Sequence, residues 1–237
     1  VVAASVANCF DKRCKAALKD AMTGKFITFE GGDGAGKSTQ IERLAVALAA
    51  TGRTVTKTRE PGGTPTAESI RDFILSGRAK SLGPEGEALL FAAARTDHID
   101  RIIRPALARG EWVLCDRFAD STRVYQGIGG GADERLLRAL ERVAIGETQP
   151  DLTIVLDVPA EVGFERVRDR LVAADTAPDR FESEDLALQE KRRQAFLDIA
   201  AREPDRCLVV DATRPEDVVA AAIWEEVTSR LFDEEAA

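Results

Sequence analysis

The stretch Gly31-Gly32-Asp33-Gly34-Ala35-Gly36-Lys37-Ser38-Thr39 holds four glycines, one carboxylate, one ammonium and two hydroxyls. The spacing Gly31-x-x-x-x-Gly36-Lys37-Ser38 is that of a phosphate-cradling loop. Glycines let successive backbone N–H groups turn inward, and a helix starting near Lys37 adds its positive dipole end. Lys37 then reaches the outer phosphates, and the Ser38 hydroxyl is a ligand for Mg²⁺. Asp33 does not fit so simply. A carboxylate facing a triphosphate is repelled by ~4 kcal/mol at ~4 Å per unit charge in an intermediate dielectric. It must therefore face an arginine, a metal-bound water or a sugar hydroxyl. That implies a second ligand beside the donor phosphates, and hence transfer of a phosphoryl group rather than plain hydrolysis.

Such a loop needs a strand before it and a helix after it. The chain supplies both. Five short runs, FITF (26–29), VTKT (55–58), WVLC (112–115), TIVL (153–156) and LVV (208–210), read as strands. Helical periodicity lies between them. In the first helix Ile41, Leu44, Ala45 and Leu48 share one face. Residues 66–109 predict two helices, the second starting near Pro84, and a last helix runs from Pro215 to about Leu231. Alternating strands and helices predict a three-layer α/β domain with a parallel sheet, whose ligands bind beyond the carboxyl ends of the strands. Glu30, Arg59, Asp116, Asp157 and Asp211 each follow a strand run directly, where charge suits a site better than a core.

Bulk composition narrows the class. The 237 residues suffice for one sizeable α/β domain, at 44% hydrophobic and 31% charged. No apolar run approaches the ~18 residues of a membrane span. The net charge of −8 argues against a nucleic-acid polymer as partner. Cys9, Cys14, Cys115 and Cys207 form no C-x-x-C pair, which fits a reducing, cytoplasmic setting. His98 is the only histidine, so Ser-His or metal-His chemistry is disfavoured, and a surface or helix-packing role is expected. Residues 1–22 end at Met22, the sole methionine, and read as an extension ahead of a domain over 23–237. The extension lacks the basic leader and the cleavage site of a signal peptide.

TREPGGT (58–64), FAAAR (91–95), DRFADSTRVYQG (116–127), PDLTIVLDV (150–158) and DAT (211–213) stand in an order that resembles the bacterial thymidylate kinases, P-loop nucleoside monophosphate kinases. The resemblance spans about Lys25 to Leu231. It implies a sheet of order 2-3-1-4-5 with a small lid, and transfer of the γ-phosphoryl group from Mg²⁺-ATP to dTMP. The products are dTDP and ADP, on the way to dTTP. It also implies a homodimer. ATP would lie on residues 31–39 and border Ala212 and Thr213. Arg117, after a strand end, has the fork to grip the acceptor phosphate bidentately, with Arg59 in support. By similarity, Phe91 stacks on thymine, Arg95 meets its polar edge, and Thr122 and Gln126 contact base or sugar. Tyr125 crowds the sugar 2′ position, Ser121 shapes the turn, and Asp33 partners the 3′-hydroxyl. Asp157 reads either as a carboxylate holding Mg²⁺ through water or as a strand-end turn former.

The family supplies extra positive charge either from an arginine in the phosphate loop or from arginines in a lid. Here the loop has none. The region RVRDRLVAADTAPDRFESED contains Arg166, Arg168, Arg170 and Arg180, with the lid itself at about 172–185. Arg170 and Arg180 are the favoured catalytic pair beside Lys37, Arg117 and Asp33, with Arg168 third. The chain departs from the common pattern at Arg123-Val124, where small residues are usual, and its lid is somewhat long.

Overall fold

The computed structural model describes residues 24–175, 181 and 185–232. The N-terminal extension and most of the lid stretch, Arg180 included, lie outside the described residues. Five strands, β1 (Phe26–Glu30), β2 (Val55–Arg59), β3 (Trp112–Asp116), β4 (Leu152–Asp157) and β5 (Cys207–Asp211), form one sheet of order β2-β3-β1-β4-β5. Every pairing is parallel. The order is the expected one. Each strand also includes the charged residue that was predicted to follow it, so Arg59 pairs with Asp116 and Asp157 with Asp211 in the ladder itself.

Period-two alternation sorts the strand side chains into two cores. Ile27, Phe29, Leu114, Ile154 and Leu156 face one layer, which includes Ile41, Leu44, Ala45 and Leu48 of α1 (Lys37–Ala50). Phe26, Val113 and Cys115 face the other. The central strands β1, β3 and β4 are buried almost throughout, whereas β2 and β5 are partly exposed. Polar VTKT is therefore tolerated because β2 is an edge.

The next helices follow from local signals. α2 (Pro65–Leu75) starts with proline in its first turn, and the Thr64 hydroxyl accepts from the Ala67 N–H as its cap. A short 3₁₀ turn over Arg78–Leu82 leads into α3 (Gly83–His98), with Pro84 in its first turn. The second predicted helix does not end there. It passes through a π-helical turn at Ile99–Ile103 into α4 (Arg104–Ala108). A short α5 (Ala119–Thr122) likewise opens into a π-helical turn over Arg123–Ile128, a geometry frequent at functional sites. The set is completed by α6 (Glu134–Ile145), α7 (Ala160–Ala174), α8 (Leu186–Arg202) and α9 (Glu216–Leu231). Pro215 sits at the cap of α9 rather than inside it.

Candidate active site

A cleft of about 780 Å³ opens at the carboxyl edge of the sheet. Asp33 to Thr39 form one wall. Gly36 takes the left-handed conformation at φ 90°, and no side chain caps the start of α1. The first amides of that helix are thus left to a ligand, and an anion is what they suit. Gly34 lies against the backbone of α7: a Cβ there would fall 2.2 Å from the Gly163 carbonyl oxygen, so only glycine fits. Lys37 is buried, and its ammonium donates to the carbonyls of Gly32 at 2.9 Å and Gly31 at 3.3 Å. Burial, then the nearby Arg117 charge, push its pKa down to about 8.

Asp33 faces Arg117. The guanidinium donates to its carboxylate at 2.6 Å, and to the Gly31 carbonyl and the Ser121 hydroxyl at 3.1 Å each. Arg117 itself holds a left-handed backbone at φ 67°, uncommon for a side chain of this size. Burial alone would raise the Asp33 carboxyl, yet the Arg117 and Lys37 charges hold it below its ordinary value. The Tyr125 hydroxyl is 3.5 Å from the other Asp33 oxygen. Of the alternatives open to the loop carboxylate, an arginine partner is the one the structure presents.

Behind this pair stands Glu30, fully buried at the end of β1. It accepts from the Phe118 and Ser121 amides at 2.8 and 3.2 Å and from the Ser121 hydroxyl at 2.6 Å. Burial, then the neighbouring Asp120 charge, raise its pKa to about 7. Glu30 therefore fastens the turn that carries Arg117. Ser121 shapes that turn, as expected.

Phe91, Arg95, Thr122, Tyr125 and Gln126 line the opposite wall, with Arg59 at its rim. Arg95 is 3% exposed, held by the Glu60 carboxylate at 2.7 Å, the Phe118 carbonyl at 3.0 Å and the Thr122 hydroxyl at 3.1 Å. Arg59 pairs with Glu68 at 3.1 Å. The Tyr125 ring has the Arg117 guanidinium 5.0 Å from its centroid and that of Arg192 at 4.2 Å, while Phe181 meets it edge-on at 5.5 Å. Phe181, Arg192 and Glu60 carried no role from the sequence. Phe181 sat visibly in the lid motif DRFE and Glu60 in TREPGGT, but nothing in the sequence marked Arg192.

Other sequence candidates fall differently. Ala212 lines the cleft, but the Thr213 amide and hydroxyl turn back to Asp211, at 3.0 and 2.6 Å. Asp157 is engaged by an arginine. Arg193 of α8 takes both its oxygens, at 2.6 and 3.0 Å. The carboxylate that meets Ser38 is Asp116, at the end of β3, at 3.0 Å. Arg170 lines the cleft from α7. Arg166 does too, donating to the Ala212 carbonyl at 3.1 Å, while Arg168 is exposed and paired with Asp169. Among the described residues the cleft also gains Arg71 and Arg214.

The thymidylate kinase family model matches residues 29–223. The chain belongs to the thymidylate kinase family. A thymidylate kinase of Nitrobacter winogradskyi is 54% identical over 218 residues, covering 92% of this chain and 94% of that one. One from Rhodopseudomonas palustris is 56% identical over 213 residues, covering 90% and 92%. The crystal structure of thymidylate kinase from Ehrlichia chaffeensis superposes with TM-score 0.68 at 34% identity, covering 86% of this chain and 98% of that one. Within this thymidylate kinase fold the unusual Arg123-Val124 is accounted for. Arg123 points away from the cleft to Asp120, Glu141 and Glu203, at 3.1, 2.5 and 2.8 Å. Val124 is fully buried, in the cluster that holds Phe196. No helix among the described residues is long and apolar enough to cross a membrane.

Proposed function

We propose that this chain transfers the γ-phosphoryl group of ATP to the 5′-phosphate of dTMP by bringing the two nucleotides end to end across the junction of Lys37, Asp33 and Arg117. An oxygen of the acceptor phosphate attacks the γ-phosphorus. The bond from that phosphorus to the bridging oxygen breaks, and its electrons leave with ADP. The observation that carries this reading is the 2.6 Å contact between Arg117 and Asp33, which ties the donor loop to the acceptor wall at one point.

Roles follow from position. The 31–39 loop cradles the donor phosphates through its amides, and Lys37 neutralises their charge. Ala212 borders the adenine, with Thr213 shaping the turn. Arg117, backed by Arg59, grips the acceptor phosphate. Phe91 stacks on the thymine, a contact worth ~1–3 kcal/mol. Arg95, Thr122 and Gln126 meet the base and sugar, and Tyr125 crowds the 2′ position. Asp33 accepts from the 3′-hydroxyl while Arg117 keeps it from repelling the phosphates. The oxygens of Ser38 and Asp116 are of the hard type that Mg²⁺ takes, and their approach to one another gives a bound ion a place beside the donor phosphates. When bound, the ion offsets phosphate charge. Arg170 from α7 and Arg180 complete the positive charge when a lid over about 172–185 closes, which also excludes water. A homodimer in the cytoplasm, a domain over 23–237 and an N-terminal extension over 1–22 belong to the same proposal.

ADP release measured with dTMP, dUMP, dCMP, AMP and thymidine tests it. Turnover should be fastest with dTMP. Comparable or faster turnover with AMP, dCMP or thymidine would assign another kinase specificity, and tight ATP binding with no ADP formed would make the chain a nucleotide-binding module.

A further inference from the structure

His98 is the only histidine of the chain and is fully buried on the last turn of α3. Its surroundings are polar. Nδ1 lies 3.0 Å from one oxygen of Glu60, and Nε2 lies 2.6 Å from the Thr58 hydroxyl. The other Glu60 oxygen accepts from Arg95 Nε at 2.7 Å. A carboxylate only accepts, so Nδ1–H donates to Glu60, and the Thr58 hydroxyl closes the chain at Nε2. The result is a line of side chains, Thr58, His98, Glu60 and Arg95, running from β2 to the base wall of the cleft. Glu60, His98 and Arg95 are all at least nine-tenths buried.

The line fixes a geometry. A carboxylate holding an arginine through one edge swings unless its second oxygen is also held. Here His98 holds that oxygen. Phe118 and Thr122 take Arg95 Nη2, and the remaining nitrogen, Nη1, is left for the cleft that Arg95 lines. The imidazole is itself wedged. Gly63 has φ +86°, and a Cβ there would stand 2.7 Å from His98 Cδ2 and 2.8 Å from Thr58 Oγ1. The Gly62-Gly63 turn thus lets the ring and the threonine close up.

We propose that His98 is a positioning residue for the acceptor base, acting through Glu60 to aim Arg95, with Thr58 fixing the ring. The inference rests on the reading above in which Arg95 meets the thymine edge. His98 touches neither nucleotide, so its loss changes where Arg95 points and nothing at the phosphates.

The test uses the full chain and steady-state constants for each nucleotide. His98→Phe fills the volume without either hydrogen bond and should raise KM for dTMP roughly tenfold, the scale of one misaligned charge-assisted hydrogen bond. KM for ATP should stay within about twofold, since the donor wall keeps its contacts. His98→Asn keeps a donor near Nδ1 and should recover most of the loss. On an Arg95→Met background His98→Phe should add nothing, because the group it aims is gone. The proposal is overturned if His98→Phe raises both KM values together, leaves KM for dTMP unchanged, or costs the same factor on the Arg95→Met background. If Arg95→Met alone leaves KM for dTMP unchanged, Arg95 does not read the base, and the relay falls with that reading. Should His98→Phe fail to fold, Thr58→Val carries the same comparison: roughly threefold on KM for dTMP, and no effect without Arg95.

Discussion

The two walls of the cleft are built from different materials. The donor wall is mostly backbone: a glycine turn, an uncapped helix start and carbonyls that hold one lysine. The acceptor wall is mostly side chains, tied to each other by ion pairs and hydrogen bonds: Arg95 on Glu60, Glu60 on His98, and Glu30 under the turn that carries Arg117. Backbone amides recognise a phosphate whatever it is attached to, so the donor wall can be generous. A specific base and sugar need side chains of fixed direction, and fixing them in a buried wall requires paired charges. Tolerance should therefore sit on one side of the cleft and selectivity on the other.

That contrast can be broken at several points. The largest effect should come from the two arginines proposed to complete the positive charge. Arg170→Ala and Arg180→Ala, measured separately, should divide between them a loss of roughly 10³-fold or more in kcat with KM values little changed, as for other arginines that act only on the transferred group. Equal and small losses in both would mean that no lid arginine reaches the phosphates. Next comes Arg117→Lys. A lysine lacks the fork that meets Asp33 through one nitrogen and Gly31 and Ser121 through the other, and kcat/KM for dTMP should drop about 10²–10³-fold. A tenfold loss or less would show that a point charge suffices there.

A smaller effect separates the walls by pH. The Lys37 ammonium, depressed to about 8, carries its charge below that value and loses it above. ATP binding favours the charged form, so KM for ATP should climb above pH 8, by at most about tenfold per pH unit. The linked stability has its own sign. Between about 8 and the ordinary lysine value the unfolded chain binds the extra proton, so stability gains from Lys37 as pH rises through that window while ATP affinity falls. A flat KM for ATP between pH 7 and 9.5 would contradict the depressed value. The mildest effect is on the thymine methyl. One methyl contributes ~1–3 kcal/mol, so dUMP should be a poorer substrate by tenfold or more, not an excluded one. UMP should be rejected further, and Tyr125→Ala should narrow the gap between UMP and dUMP. Equal rates for UMP and dTMP in the unaltered chain would remove Tyr125 from sugar selection.

Much of this was legible in the chain because it is local. Five apolar runs announced the strands, the glycine spacing announced the cradle, and the charged residue after each run marked the edge where the cleft opens. What the residues could not show is pairing at a distance. Nothing in the sequence says that Arg193 occupies Asp157, 36 positions away, or that the carboxylate beside Ser38 is that of Asp116, 78 positions away. His98 looked like packing because its partners Thr58 and Glu60 lie 40 and 38 residues upstream, on the edge strand and the turn that follows it. The π-helical turn over Ile99–Ile103 went unread because no breaker residue marks it.

The contrast between the walls is tested most directly by turnover across two panels, one varying the donor among ATP, dATP and GTP with dTMP fixed, the other varying the acceptor among dTMP, dUMP, UMP and AMP with ATP fixed. The predicted result is a spread in kcat/KM across acceptors at least ten times the spread across donors. A donor spread as wide as the acceptor spread would place the selectivity on the glycine side and contradict the account.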